Sequence, residues 1–344
     1  MKDMLRTDAY KLSMAQAGFA LREESFYFSF RKGGWHVVPF DLEAEVRGLL
    51  QASAEAGELD EQLAFADRYG YALSPAMRRA LAGELKIEAL PAGTWVAPRE
   101  PIMTLTGPSF LVSWLEPLVL RFHHAIQFAT ALARGSYEPS MGLHVGEAHA
   151  RLLRRAAEAV GAACPSLHDE TADYLAEVQA RGQALVDCLG TGDRIFEVGM
   201  RAAVTEEQHL LALEQLGKVG ITMTSNVAGA HELGLRPVGT MGHEHVQRWG
   251  EDLAAFRAMR DMRTGVPSYL LDTFDTIRSG IPRAIQVMRE RSHACSIRYD
   301  SGDKFAQYMY AHGEFSRAGL APVHILEDGL GLEDTQKFEQ LRDF

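Results

Sequence analysis

Chemistry in this chain concentrates where apolar runs stop. Residues 194–201 (RIFEVGMR) end on Glu197 and Arg201. Residues 221–226 end on Thr224, Ser225 and Asn226, and residues 236–245 on Gly239, Thr240, Gly242, His243 and His245. Residues 268–276 (SYLLDTFDT) carry Asp272 and Asp275, and residues 295–303 (CSIRYDSGD) carry Arg298, Asp300 and Asp303. Residues 323–331 (VHILEDGLG) close on Asp328 and Gly329. Carboxylates suit Mg²⁺, which takes oxygen ligands and reaches proteins through phosphate and water. They also hold ribose hydroxyls. Arginine matches a carboxylate or a phosphate with two parallel donors. A histidine among them serves as base, nucleophile or anion contact. Together these residues describe a site for a phosphorylated sugar and a small anion. No one cluster is specific, but their succession along the chain is.

The elements that must position them follow from the pattern. After Gly192 an apolar run, a polar tip and a helix alternate repeatedly. Apolar strands alternating with helices give a parallel sheet, and six such units suggest a barrel with its site at the strands' C-terminal ends. Thr205 and Gln208 form a capping box that starts one of these helices, and Pro282 suits the first turn of another. The first part of the chain reads differently. A short helix precedes Gly18, with Thr7 or Asp8 as its N-cap. A strand covers 25–31, helices cover 40–81, and a β-rich module covers 85–107, broken at Pro91 and Pro98. One long apolar helix is expected from Ser109 through Trp114, Leu118, Phe122 and Ile126. His123 and His124 lie on it, pointing about 100° apart, so they do not share a metal easily. Residues 141–189 read as charged helices, with Arg151, Arg154 and Arg155 as a solvated face and an anion contact as the alternative.

The bulk numbers exclude several classes. The net charge of -11 over 344 residues argues against nucleic acid and anionic membrane surfaces as partners. The three cysteines show no CxxC spacing, which indicates neither zinc nor a disulfide framework and fits a reducing cytoplasm. No secretory h-region opens the chain, and no run of about 18 apolar residues occurs to span a membrane.

These motifs, in this order, resemble the nicotinate phosphoribosyltransferase family, which is grouped with nicotinamide phosphoribosyltransferase. The resemblance rests on TDAYK at 7–11, FSFRK at 28–32, LPAGTWVAPREPIMTLTGP at 90–108, LEPLVL at 115–120, EVGMR at 197–201, TSNVAGA at 224–230, GTMGHE at 239–244, LLDTFDT at 270–276, RYDSGD at 298–303 and EDGL at 327–330. It implies an irregular, flattened α/β barrel of the type II phosphoribosyltransferase kind (residues 123–344, with a helical insertion near 137–190) and an N-terminal α+β domain (residues 1–122). It implies transfer of phosphoribose from phosphoribosyl pyrophosphate to nicotinate, with Mg²⁺ and with ATP as co-substrate, in a cytoplasmic homodimer with shared active sites. The segment holding Tyr10 would reach into the neighbour's site. His243 would be the phosphorylated histidine, with His245 its local competitor. Asp8 and Tyr10 would lie at the pyridine, Tyr10 stacked on it, and Arg201 would face the carboxylate. Asp272, Asp300 and Arg298 would hold ribose and magnesium pyrophosphate, with no direct protein metal site beyond Asp272 and Asp300. Thr224, Ser225 and Thr240 would line the substrates, and Asp328 and Gly329 would lie near the 5′-phosphate. Ser225 stands where the nicotinamide branch carries an Asp, so the acid is the expected acceptor. The chain departs from the family at Val198, where many relatives carry Phe, and at Ala202, where a second Arg is common. The family pattern also continues beyond EDGL to a strand and a Gly-rich turn, which the sequence given does not reach. These departures keep open a divergent relative with another acceptor, or a non-catalytic nucleotide-binding protein.

Overall fold

The structure is a computed structural model and describes residues 3–55 and 59–341. The chain begins with α1 (Ala9–Gln16), β1 (Glu23–Phe28), β2 (His36–Val37), α2 (Leu42–Glu55), α3 (Leu59–Arg68), α4 (Pro75–Leu81), β3 (Lys86–Ala89), β4 (Trp95–Val96), β5 (Met103–Pro108) and α5 (Ser109–Val119). Strands β1, β5 and β3 form an antiparallel sheet, with β5 central and Phe26 opposite Leu105. The alternation of β5, with Met103, Leu105 and Gly107 buried, lays one face against α5. The expected single long helix is two. Pro117 removes a backbone donor from the last turns of α5, and a new helix, α6 (Phe122–Arg134), starts after Arg121. Residues of α5 such as Trp114, Leu115 and Leu118 fill the first core, which also takes in Met200, Val227 and Ala230 from the barrel part.

Beyond α6 come β6 (Leu143–His144), α7 (Gly146–Ala159), β7 (His168–Asp169) and α8 (Thr171–Leu189). Helix α7 packs on α6 through Leu153, Ala156 and Phe128. Arg154 and Arg155 pair with Glu147 and Glu45 at 2.8 and 2.6 Å on the surface, so this basic cluster is a solvated face. His123 is a packing residue, its ring 4.5 Å from that of Phe28.

The strand–helix alternation follows as expected: β8 (Phe196–Glu197), α9 (Glu206–Lys218), β9 (Met223–Thr224), α10 (Val227–Leu233), β10 (Arg236–Pro237), α11 (His243–Trp249), α12 (Asp252–Met262), β11 (Ser268–Leu270), α13 (Ile281–Glu290), β12 (Ser296–Tyr299), α14 (Lys304–Arg317), β13 (Val323–Leu326) and α15 (Leu332–Gln340). All pairings here are parallel, in two three-stranded sheets ordered β10-β9-β8 and β11-β12-β13. Among the described residues no strand pairing joins the two, so the expected barrel appears as two half-sheets. The second core lies under β11 and β12, around Phe256, Tyr269, Ile297 and Phe315. Helix α1 sits between the two cores: Leu12 and Ala15 belong to the first, Met14 and Ala17 to the second. Among the described residues no helix is long and apolar enough to cross a membrane.

Candidate active site

The N-terminal segment is bound directly onto the tips of β9 and β10. Ala9 N–H donates to the Ser225 carbonyl at 2.7 Å, and Val227 N–H to the Thr7 carbonyl at 3.2 Å. A Cβ at Gly239 would sit 2.3 Å from the Tyr10 nitrogen, so only glycine lets the two backbones approach this closely. Asp8 occupies the N-cap position of α1, but its side chain caps nothing there. It accepts instead from Ser225 Oγ at 2.6 Å and faces Arg201 Nε at 3.5 Å. Burial pushes the Asp8 carboxyl up to about 6, against the opposing pull of Arg201 and the Ser225 hydroxyl. Tyr10 lies under the Arg201 guanidinium, 5.4 Å from ring centroid to Cζ. Tyr10 thus stands beside Arg201 of its own chain.

Arg201 ends a 3₁₀ turn, residues Gly199–Arg201, that follows β8. Glu197 shapes that turn by accepting from Gly199 N–H. Its other oxygen, Oε2, accepts from Thr224 Oγ1 at 2.6 Å, while His209 Nε2 donates at 3.0 Å to Oε1, the oxygen that also accepts from Gly199 N–H. His209 Nδ1 then accepts from Asn226 Nδ2 at 3.0 Å, while Asn226 Oδ1 caps α10 through Gly229 N–H. Burial works to raise the Glu197 carboxyl, but its hydrogen bonds from His209 and Thr224 bring it below the usual range. Thr224 is therefore fully buried with its hydroxyl engaged inside the fold. Of the three residues expected to line the substrates, Ser225 and Thr240 border the cavity next to Tyr10 and Arg201, and Thr224 does not.

The second group stands on β12. Arg298 is 6% exposed, and both of its Nη atoms donate hydrogen bonds. Nη1 donates to Thr240 Oγ1 and the Met241 carbonyl, each at 2.9 Å, Nη2 to Asp300 at 2.6 Å, and Nε lies 2.7 Å from Glu327. Asp300 also pairs with His243 Nε2 at 3.1 Å, and His243 Nδ1 meets Thr273 Oγ1 at 3.1 Å. The hydrogen bond from His243, then Arg298, hold the Asp300 carboxyl far below its usual value, while burial opposes them. The same bond raises the His243 imidazole above its usual value. Asp272 accepts from Ser301 N–H at 2.7 Å, and its second oxygen is buried without a hydrogen-bond partner. Asp275 caps the turn before α13 through Ile277 and Arg278 N–H groups. Asp303 caps α14. Asp328 and Gly329 form a turn with φ of 64° and 63°, exposed beside Glu327.

His243 opens α11, a helix that the sequence pattern did not announce; its N-cap is Gly242, which offers no side-chain cap. The competitor His245 is buried, bonds the Ala255 carbonyl through Nε2 at 3.1 Å, and is pushed down to about 4 by burial. It is a packing residue. Four site residues went unread in the sequence: Lys11, Glu116, Glu244 and Glu327. A cavity of about 150 Å³ is bordered by Tyr10, Lys11, Glu116, Arg201, His243, Arg298 and Asp300, and brings the two groups to one space. Only the neighbouring Tyr10 of the TDAYK motif signalled Lys11.

Comparisons with known proteins agree with the motifs. No family model matches the chain. A nicotinate phosphoribosyltransferase of Mycobacterium tuberculosis is 27% identical over 345 aligned positions, covering 96% of this chain and 62% of that protein. The chain thus spans less than two thirds of that relative's length. A nicotinate phosphoribosyltransferase of Bacillus subtilis is 37% identical over 139 residues, covering 39% of this chain and 28% of that protein. The crystal structure of nicotinate phosphoribosyltransferase from Porphyromonas gingivalis superposes with a TM-score of 0.64 at 18% identity, covering 99% of this chain and 81% of that one. The chain is similar to nicotinate phosphoribosyltransferases in sequence and shares their mixed α/β fold.

Proposed function

We propose that this chain, with the fold of nicotinate phosphoribosyltransferases as its premise, makes nicotinate mononucleotide and pyrophosphate from nicotinate and phosphoribosyl pyrophosphate for NAD salvage. One observation carries the reading. Arg201 stands over Tyr10 between two carboxylates, Asp8 and Glu116, at 3.5 and 3.6 Å, so neither closes on it at full hydrogen-bond distance. Its planar fork keeps donors for a carboxylate brought by the acceptor, and the Tyr10 ring offers a face to a pyridine. Asp8 protonates near neutrality more readily than a free carboxyl, which reduces repulsion of an anionic acceptor.

Arg298 and Asp300 border the same cavity. In the transfer the C1–O bond to pyrophosphate breaks with its electron pair, and the pyridine nitrogen forms the C1–N bond. Positive charge grows on the sugar, which the ionised Asp300 is placed to stabilise, and Arg298 fixes that carboxylate in place. Among the described residues no three His, Cys, Asp or Glu side chains could hold a metal ion by themselves. The unpartnered Asp272 oxygen, one residue from Asp300 through Ser301, fits Mg²⁺ held mainly by pyrophosphate. Such an ion would supply charge neutralisation of the leaving pyrophosphate.

The reading extends to ATP. Asp300 is ionised and can only accept, so neutral His243 keeps its proton on Nε2 and its lone pair on Nδ1. Nδ1, facing Thr273, would attack the γ-phosphorus of ATP, with ADP leaving. A coupled assay of nicotinate mononucleotide formation with phosphoribosyl pyrophosphate, Mg²⁺ and nicotinate tests this, with and without ATP. His243→Ala is expected to keep basal transfer and lose the ATP response. No product under any of these conditions would overturn the reading. A second reading, transfer to another small acceptor, is favoured by Phe196 and Val198. Both are more than a third exposed and join the acceptor cavity to an apolar groove of about 340 Å³. Faster turnover with an apolar-substituted pyridine than with nicotinate would select it.

A further inference from the structure

Lys11 is 1% exposed, one residue beyond Tyr10 on α1. Its ammonium pairs with Glu116 Oε2 and lies 3.2 Å from Glu244 Oε1. Glu244 is fixed from the other side by Ser113 Oγ at 2.6 Å and by Arg248 at 3.7 Å. Burial works against the Lys11 charge, and the two carboxylates outweigh it, so Lys11 remains a cation. The other oxygen of Glu116, Oε1, points to Arg201 Nη1 at 3.6 Å. Glu116 therefore stands between two cations and is bound closely to only one. A carboxylate within reach of a guanidinium closes on it into a bidentate pair unless something holds it back. Here the anchor is Lys11, placed by the same short helix that presents Asp8 and Tyr10.

We infer that Lys11 is a positioning residue for acceptor recognition: it holds Glu116 off Arg201 and so leaves the guanidinium fork open to the acceptor's carboxylate. The inference rests on the acceptor reading of Arg201 given above. Without the Lys11 charge, Glu116 swings onto Arg201, occupies the donors and places a negative charge where the acceptor's must go. Without the charges of both, Arg201 is open again. A residue needed only for packing would show no such recovery.

The test uses Lys11→Met, Glu116→Gln and the double variant in the full chain, with two readouts. The first is the rate at which phenylglyoxal modifies Arg201, followed by peptide mass spectrometry; Arg201 is 38% exposed and accessible to the reagent. The second is the KM for nicotinate beside that for phosphoribosyl pyrophosphate. Lys11→Met is expected to slow modification of Arg201 by about tenfold and to raise the nicotinate KM by about tenfold, the scale of one hydrogen bond to a charged group. The KM for phosphoribosyl pyrophosphate stays within about twofold. Adding Glu116→Gln restores both. Unchanged modification in Lys11→Met, or no restoration in the double variant, overturns the inference. If Lys11→Met does not fold, Lys11→Gln, alone and with Glu116→Gln, takes its place: slowed modification of Arg201 that Glu116→Gln restores supports the inference, and an unchanged rate overturns it. Labelling needs neither acceptor nor turnover, so a parent protein that makes no nicotinate mononucleotide would sink the functional reading and leave the labelling result to judge Lys11 separately.

Discussion

The tips of β8 and β9 and the tip of β12 are built from the same residue types and are used in opposite ways. On β8 and β9, Glu197, Thr224, His209 and Asn226 form a closed chain of hydrogen bonds in which each side chain has its partner inside the protein. At the tip of β12, Asp300 and the His243 that meets it from α11 are 24% and 37% exposed, and an oxygen of the neighbouring Asp272 has no hydrogen-bond partner. The first set ties two strand ends together and shapes the turn that carries Arg201. The second keeps charge at the cavity wall. A polar residue at a strand tip is thus not evidence of substrate contact until its hydrogen bonds are counted.

That contrast can be broken by mutation. The largest effect belongs to the closed set. Glu197→Ala leaves His209, Thr224 and Gly199 without their acceptor in the interior, and should lower unfolding stability by about 3–5 kcal/mol in a urea titration. Asp300→Asn, at the partly exposed carboxylate on the cavity wall, should instead leave a folded protein that loses about 10²–10³ in kcat, measured as mononucleotide formation. If Asp300→Asn unfolds the chain while Glu197→Ala only slows it, the assignment of the two sets is reversed. Thr224→Val removes one donor to Glu197 and should cost about 1 kcal/mol of stability with little change in kinetics, separating Thr224 from the substrates.

The smallest effect concerns pH. The folded His243 value lies above the ordinary 6.5, raised first by its bond to Asp300. The pair's stabilisation is therefore complete below pH 6.5 and is lost as pH rises through the raised value, while Asp300 stays ionised because its own carboxyl is held low. Since His243 is more than a third exposed, screening keeps the effect under about 1 kcal/mol. The stability difference between parent and His243→Ala should be greater at pH 6 than at pH 9. A difference that grows with pH would contradict the pairing.

Much of this architecture was legible in the sequence. The apolar runs that ended in polar clusters became parallel strands, and of the residues at their tips Arg201, Ser225, Thr240, His243, Arg298 and Asp300 border the two cavities beside Tyr10, whereas Asp272, Asp328 and Gly329 do not. The Thr205 cap and the Pro282 start were readable because they depend on neighbours only a few residues away. What stayed hidden depends on distance. Glu197 meets Thr224 and His209 across 27 and 12 residues, and no local pattern distinguishes a carboxylate with buried partners from one facing solvent. Lys11 reads as an ordinary surface lysine until Glu116 and Glu244 converge on it from 105 and 233 residues away. Helix α11 was missed because its cap is a glycine, and Gly250, at φ 78°, divides it from α12. The count of strand–helix units was readable, but not how the strands group: among the described residues they pair in two sets of three.

The central claim is a division of labour: Arg201 receives the acceptor's carboxylate, while Arg298, Asp300 and His243 serve the phosphoribosyl and phosphate side. It is tested most directly by the steady-state kinetics of Arg201→Met with each substrate varied in turn. The account predicts a nicotinate KM raised by about 10- to 100-fold, the loss of a charge-assisted hydrogen bond, with the KM for phosphoribosyl pyrophosphate unchanged. A KM for phosphoribosyl pyrophosphate that rises as much as that for nicotinate, or a nicotinate KM that does not move, would contradict it.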